Sequence, residues 1–495
     1  MKLREFTNNL AMENGVRSYI HFETFVYKLL EKHLKDQSKK IFSYENQNMS
    51  DGSIDFLLPD GINDISGPIG VVVKFVRKNI NSYFAAIRRQ CEKMYDSPSI
   101  KCLLFILSAD IPDEKKDELL IFARKATGLE VAIWDLVELS KIASNYTEFI
   151  SEIVYNLEKE LINSVVTKSL EGSPNQWKEK RNEYIKQLNE VYKKDDLVLF
   201  LGAGVSKDAN ISDWNVLVTD LLVAMISEKL NDNGVKLNIN EQALIISQIK
   251  ENIDSSPLLQ ARYIRTGLGK KFIEVVTKIL YKSIDNGQKG TSDLLKSITR
   301  LCTPRRNSLG IKGVVTYNFD DLIEYHLKES NISYVPVYRE SDTCSKEELP
   351  IYHVHGYLPR ETNGYDESTE NLLVFSEEGY HALMLDPYCW ANITQLNFLR
   401  ENTCLMFGLS LTDPNLRRLL DIAARKTHHP RHFAILKRQT INNKLHNKDI
   451  GLSAITSFIT VDQELQEESF RELGLMILWV DDYKEIPGIL DSIRK

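Results

Sequence analysis

Ten residues, Leu197 to Ser206 (LVLFLGAGVS), restrict the fold more than any other stretch. Leu197 to Leu201 are all apolar. A strand that is apolar at every position is covered on both faces, as in a parallel sheet flanked by helices. Gly202, Ala203, Gly204 and Ser206 follow at once. Small residues there let the backbone approach a phosphate closely, and a following helix would aim its N-terminus at that charge. The same pattern also occurs in α/β proteins that bind no nucleotide, so its meaning depends on what else the chain carries.

Three later stretches supply that context. Val314 to Asp321 (VVTYNFDD) is a strand ending in Asn318. Tyr352 to Gly356 (YHVHG) ends in His355. Cys404 to Leu420 (CLMFGLSLTDPNLRRLL) is a strand, a Gly-x-Ser turn at Gly408 and Ser410, and a helix start. Each apolar run delivers small or polar residues at its C-terminal end, the edge at which open α/β sheets bind ligands. In this order the four stretches resemble the sirtuin-like fold, over roughly Asp195 to Lys495. The implied architecture is a doubly wound, Rossmann-like parallel sheet of about six strands with a helical insertion.

The composition suits such a chain. At 495 residues two or three domains are expected. Hydrophobic content of 43% and charged content of 26% are those of a soluble globular protein. The net charge of −7 argues against a surface that coats nucleic acid. No apolar run approaches the roughly 20 residues that span a bilayer. The first residues lack the apolar core of a signal peptide, so a cytoplasmic protein is expected. None of the six cysteines forms a C-x-x-C pair, and neither structural zinc nor a disulfide framework is expected.

The N-terminal region reads as a separate α/β domain over 1–168. A helix over 15–35 precedes strand-like runs at 40–44, 54–58 and 70–76. A helix around 83–95, a strand at 100–107, a helix at 113–126 and a strand at 129–134 follow. Glu23, Asp55 and Lys74 in this order resemble the restriction-endonuclease-like fold, in which carboxylates and a lysine hold Mg²⁺ and activate water. The usual acid two residues before the lysine is replaced by Val72. A vestigial site is therefore expected, with Mg²⁺ bound only if the nuclease is active. Glu45 would be the substitute ligand, from a neighbouring strand that the sequence alone does not place. An ordinary Asp55–Lys74 ion pair is the structural alternative. Arg77, Lys78, Arg88 and Arg89 form the one candidate basic patch, through which this domain could touch nucleic acid.

A polar helical connection over 169–196 leads to the second domain, 197–495, with a helical module at about 238–300. Trp214, near a helix start, is either a wall of a nucleotide pocket or a core aromatic. Strands are expected at 372–375, 432–436 and 476–480. One helix is expected from about 377 to 400.

The resemblance implies chemistry at the sheet edge. Nicotinamide in NAD⁺ is already a cationic leaving group, so the protein must bind pyrophosphate, orient the ribose and present a nucleophile. Gly202, Ala203, Gly204, Ser206, Gly408 and Ser410 would hold phosphate or ribose, and Asp320 and Asp321 would orient the site. Asn318 would position ribose or water, and His355 would be the general base. His353, on the same strand face as His355, is expected to support the site or serve as a core polar group. The segment looks most like the divergent sirtuin-like domains of bacterial antiphage defence, usually NAD⁺ glycohydrolases that deplete NAD⁺ in abortive infection. These form homo-oligomers, and some work with a hexameric HerA-like ATPase or a phage-derived activator. An NAD⁺-dependent protein deacylase, and a nucleotide sensor governing an active N-terminal nuclease, are the alternatives.

Overall fold

The computed structural model describes the chain apart from residues 1–2, 13–14, 44–53, 77–83, 85–86, 88–90, 92–99, 172–175, 236–237, 239, 242–243, 246–247, 249–256, 306–309, 362–372, 426, 428 and 440–451. Glu45, the four basic patch residues and most of the helix expected around 83–95 lie outside the described residues. The chain divides into two units. The first comprises Met1–Gln176, Ala424–Pro430 and Gln439–Gly474. The second comprises Trp177–Ala423, Arg431–Arg438 and Leu475–Lys495. Two C-terminal segments thus fold with the N-terminal unit, including the helix Leu452–Arg471, which packs on the helix Leu157–Glu171.

The first unit is built on a sheet of β1 (Phe42–Ser43), β2 (Phe56–Leu58), β3 (Ile69–Lys74), β4 (Cys102–Leu107) and β5 (Glu130–Trp134), in that spatial order. The first two pairings are antiparallel and the last two parallel. Alternation along β3 and β4 divides the core. Val71, Val73, Leu104 and Ile106 pack with Phe22, Phe25 and Leu29 of the helix Gly15–Asp36. Val72, Leu103 and Phe105 pack with Leu119 and Ala123 of the helix Asp113–Thr127.

The second unit holds seven strands: β6 (Leu197–Leu201), β7 (Ile311–Thr316), β8 (Tyr334–Val337), β9 (Leu349–His353), β10 (Thr403–Phe407), β11 (His432–Lys437) and β12 (Leu475–Val480). Their order is β12-β11-β10-β6-β7-β9-β8 and every pairing is parallel. All five residues of β6 are buried, as are all five of β10. The sequence misses one strand here and misplaces another. Tyr334–Val337 is a strand, whereas 373–375 is irregular. The helix expected from 377 to 400 is two, Glu377–Leu385 and Trp390–Glu401, because Pro387 cannot continue the first. Among the described residues no helix is long and apolar enough to cross a membrane.

Candidate active site

β6 and β10 are neighbours, and β6 leads on to β7 on one side while β10 leads on to β11 on the other, so the connections leaving their carboxyl ends run in opposite directions. This is the switch point at which open α/β sheets form a crevice. The loops after β6 and β10 meet there. The Gly204 N–H donates to the Gly408 carbonyl at 3.0 Å, and the Gly202 N–H donates to Phe407 O at 3.2 Å. A Cβ on Gly204 would stand 2.8 Å from the Gly408 Cα. The small residues expected to admit a phosphate are therefore required first by the chain's own crossing. The helix after them, expected to aim its N-terminus at an anion, is a single turn, Gly204–Lys207. Val205 and Ser206 N–H groups are spent on Gly202 and Ala203 carbonyls. Ala203 and Gly204 remain exposed, as does Ser410, whose hydroxyl lies 2.6 Å from that of Thr412.

Beneath this loop lies a buried polar network. Asn318, two residues beyond β7, donates from Nδ2 to Gly202 O and to Ser206 Oγ, each at 3.1 Å. The Ser206 hydroxyl in turn donates to Asp320 Oδ1 at 3.1 Å. With both amide hydrogens committed, Oδ1 of Asn318 is the acceptor left for a ribose hydroxyl or water. Asp320 is buried, which pushes its carboxyl up to about 6 against the opposing Ser206 hydrogen bond. Asp321 faces elsewhere. It accepts from Arg360 Nε at 2.9 Å and Arg360 N at 2.8 Å, and so anchors a loop.

His355 stands two residues beyond β9, the strand paired with β7. Its ring meets Tyr317 edge-on at 4.7 Å and Tyr380 at 5.5 Å. Its Nε2 is buried with no hydrogen-bond partner. Burial pulls its basicity down to about 4, and the Asp413 carboxylate opposes that shift. Asp413 went unnoticed in the sequence. It caps the helix Pro414–Ala424, accepting from Leu416 N at 2.7 Å, and hydrogen-bonds Tyr380. An Asp-Pro pair at a helix start is the signal that marks it. His353 lies fully buried, with Nδ1 3.1 Å from Asn318 O and Nε2 2.6 Å from Glu324 Oε1.

Trp214 opens the helix Trp214–Asp232, which Asp213 caps through Val216 N. Half-buried, its ring contacts Phe375 at 4.9 Å and Phe319 at 6.3 Å. It is joined to the core through an aromatic cluster that also includes the neighbour of Asn318 and Asp320.

The N-terminal trio is only loosely a site. Asp55 Oδ2 accepts from Val73 N at 2.7 Å, and Oδ1 accepts from the Tyr19 hydroxyl at 3.1 Å. Burial raises the Asp55 carboxyl and lowers Lys74, and each counters the other. Lys74 Nζ lies 3.5 Å from His429 Nε2, and Glu23 pairs with Arg471. Val72 is fully buried among Leu103 and Phe105. Both Asp55 oxygens are engaged, and the residue two before Lys74 is apolar core. This donor set does not fit Mg²⁺. Among the described residues no three His, Cys, Asp or Glu side chains converge as metal ligands. Among the described residues no cysteine is in a disulfide.

At the switch point of the parallel sheet, Asn318 and His355 thus stand beyond the ends of adjacent strands. The SIR2-like domain model matches residues 312–455, and this segment carries a SIR2-like domain. Among known proteins, the NAD(+) hydrolase ThsA of Enterococcus faecium is 25% identical over 327 residues. The alignment takes in 63% of this chain and spans 58% of that relative's length.

Proposed function

We propose that the second unit hydrolyses NAD⁺ to nicotinamide and ADP-ribose. The observation that carries this reading is the pair Asn318 and His355 at neighbouring strand ends, with the Asn318 amide anchored by Ser206 and the Gly202 carbonyl. Similarity to a protein named NAD(+) hydrolase supports it.

NAD⁺ and water give ADP-ribose, nicotinamide and one proton. The exposed Ala203–Gly204 turn and Ser410 flank the phosphates. Asn318 Oδ1 holds the nicotinamide ribose or the attacking water. His355, uncharged near neutral pH, takes the water's proton as the glycosidic bond breaks. Trp214, with Phe319, walls the crevice. Asp320 keeps Ser206 and hence Asn318 in place. By the resemblance noted above, the chain would act as an antiphage effector by NAD⁺ depletion, as a homo-oligomer and in some settings with a HerA-like ATPase or a phage-derived activator.

The competing deacylase reading is separated by one assay. NAD⁺ is supplied with and without an acetyl-lysine peptide, and the products are resolved. Hydrolysis gives ADP-ribose at a rate indifferent to the peptide. Acyl transfer from the peptide to ADP-ribose, with no turnover in its absence, would overturn the proposal.

A further inference from the structure

Glu324 and His353 lie behind the crevice, with side chains 3% and 0% exposed. Glu324 is on the helix Leu322–Glu329, which follows β7, and His353 is the last residue of β9. Both ring nitrogens of His353 face oxygen: Nε2 is 2.6 Å from Glu324 Oε1, and Nδ1 is 3.1 Å from the main-chain carbonyl of Asn318.

Hydrogen-bond accounting fixes the protons. A main-chain carbonyl only accepts, so Nδ1 carries a hydrogen and donates it to Asn318 O. A second proton lies between Nε2 and Glu324, on either partner. Charged or neutral, the pair has no net charge, and the ring is held at both ends. The Tyr357 ring, 4.2 Å from that of His353, closes one side. Glu324 Oε2 is buried without a partner. A buried polar atom left unsatisfied is costly, so the pair is not explained by stability alone.

We propose that Glu324 and His353 are positioning residues for Asn318. The carboxylate fixes the imidazole, and the imidazole Nδ1–H holds the Asn318 peptide, so that its carboxamide is presented to Ser206 and the crevice. The pair supplies no group to the substrate. This inference rests on the NAD⁺-hydrolysing reading for its kinetic consequence but not for its geometry.

The orientation argument predicts different effects for different substitutions. In Glu324→Gln the amide can donate to Nε2 while Nδ1–H still faces Asn318. Its kcat should stay within about threefold of wild type, since the hydrogen-bond geometry survives. Glu324→Leu removes the anchor and His353→Phe removes the donor. Each should lower kcat by about tenfold or more with KM changed far less, the pattern of an interaction realised in the transition state. Retention of wild-type kcat by folded Glu324→Leu and His353→Phe would overturn the proposal. The second measurement needs neither activity nor a folded variant. ¹⁵N-histidine NMR of the full-length wild-type chain should show His353 carrying a hydrogen on Nδ1. A ring protonated on Nε2 alone would overturn the proposal. Absence of NAD⁺ turnover by the wild type would defeat the functional reading, while the Nδ1 result would still decide the positioning.

Discussion

Gly202 and Gly408 cross so closely that neither tolerates a side chain. A Cβ on Gly202 would lie 2.5 Å from the Gly408 oxygen, and one on Gly408 would lie 2.9 Å from the Gly202 oxygen. Gly408 also has φ of +70°. Gly408→Ala therefore carries both left-handed strain and a backbone clash, a loss of roughly 1–3 kcal/mol or more. Gly128, with φ of +69° and nothing within 4 Å, is the control. Urea unfolding should place Gly408→Ala well below Gly128→Ala. NAD⁺ hydrolysis should fall only in the former, because the Asn318 amide rests on the Gly202 carbonyl.

Ser206→Ala leaves two buried partners short, the Asn318 amide and the Asp320 carboxyl. A loss of about 1–3 kcal/mol in unfolding free energy is expected. The kcat for NAD⁺ should drop more than KM rises, because Asn318 loses one of two anchors. Steady-state kinetics on the folded variant checks this. An unchanged kcat would separate Ser206 from Asn318's role.

Stability against pH has two opposing contributions at the site. His355 ordinarily titrates at 6.5 and is lowered to about 4, so the unfolded chain binds the extra proton in that window. Its contribution is present above 6.5 and is lost as pH falls toward 4. Asp320 runs the other way, from 3.8 to about 6. The native state holds the extra proton, and that contribution is lost as pH rises through about 6. Asp320→Asn should therefore lose stability on acidification more steeply than wild type, and His355→Gln less steeply. Urea midpoints followed between about pH 4 and 6 test both signs.

Asp413→Asn isolates charge from capping, since asparagine caps a helix about as well as aspartate. The helix Pro414–Ala424 should persist. Without the carboxylate, His355 should titrate at still lower pH, and the acid limb of kcat/KM should move with it. NMR titration of His355 reads the effect directly. An unmoved titration would show that the Asp413 charge does not reach the ring.

The fully apolar run 197–201 was legible as a doubly covered strand, and so were the strand ends bearing Asn318 and His355, because burial on both faces leaves an unbroken pattern. Tyr334–Val337 was hidden by Pro336, which is tolerated because this strand is the sheet edge. The meeting of Gly202 with Gly408 is a contact across more than 200 residues, and spacing does not encode it. His353 was legible as a supporting or core polar group, but its pairing with Glu324 was hidden for the same reason, since Glu324 reads locally as an ordinary helix residue. Nothing in the composition of 439–474 signals that it folds with the N-terminal unit.

Lys74→Ala should leave NAD⁺ hydrolysis within about twofold of wild type, as for a substitution outside the reacting network. With Val72 in the core, the wild-type chain should not cleave DNA when Mg²⁺ is added. Mg²⁺-dependent cleavage abolished in Lys74→Ala would revive a nuclease in the first unit.

The most direct test is NAD⁺ turnover by the purified full-length chain, with products separated and His355→Ala assayed beside it. The account predicts nicotinamide and ADP-ribose in equal amounts from the wild type, and loss of both in a variant that remains folded by circular dichroism. Wild-type turnover by folded His355→Ala would contradict it.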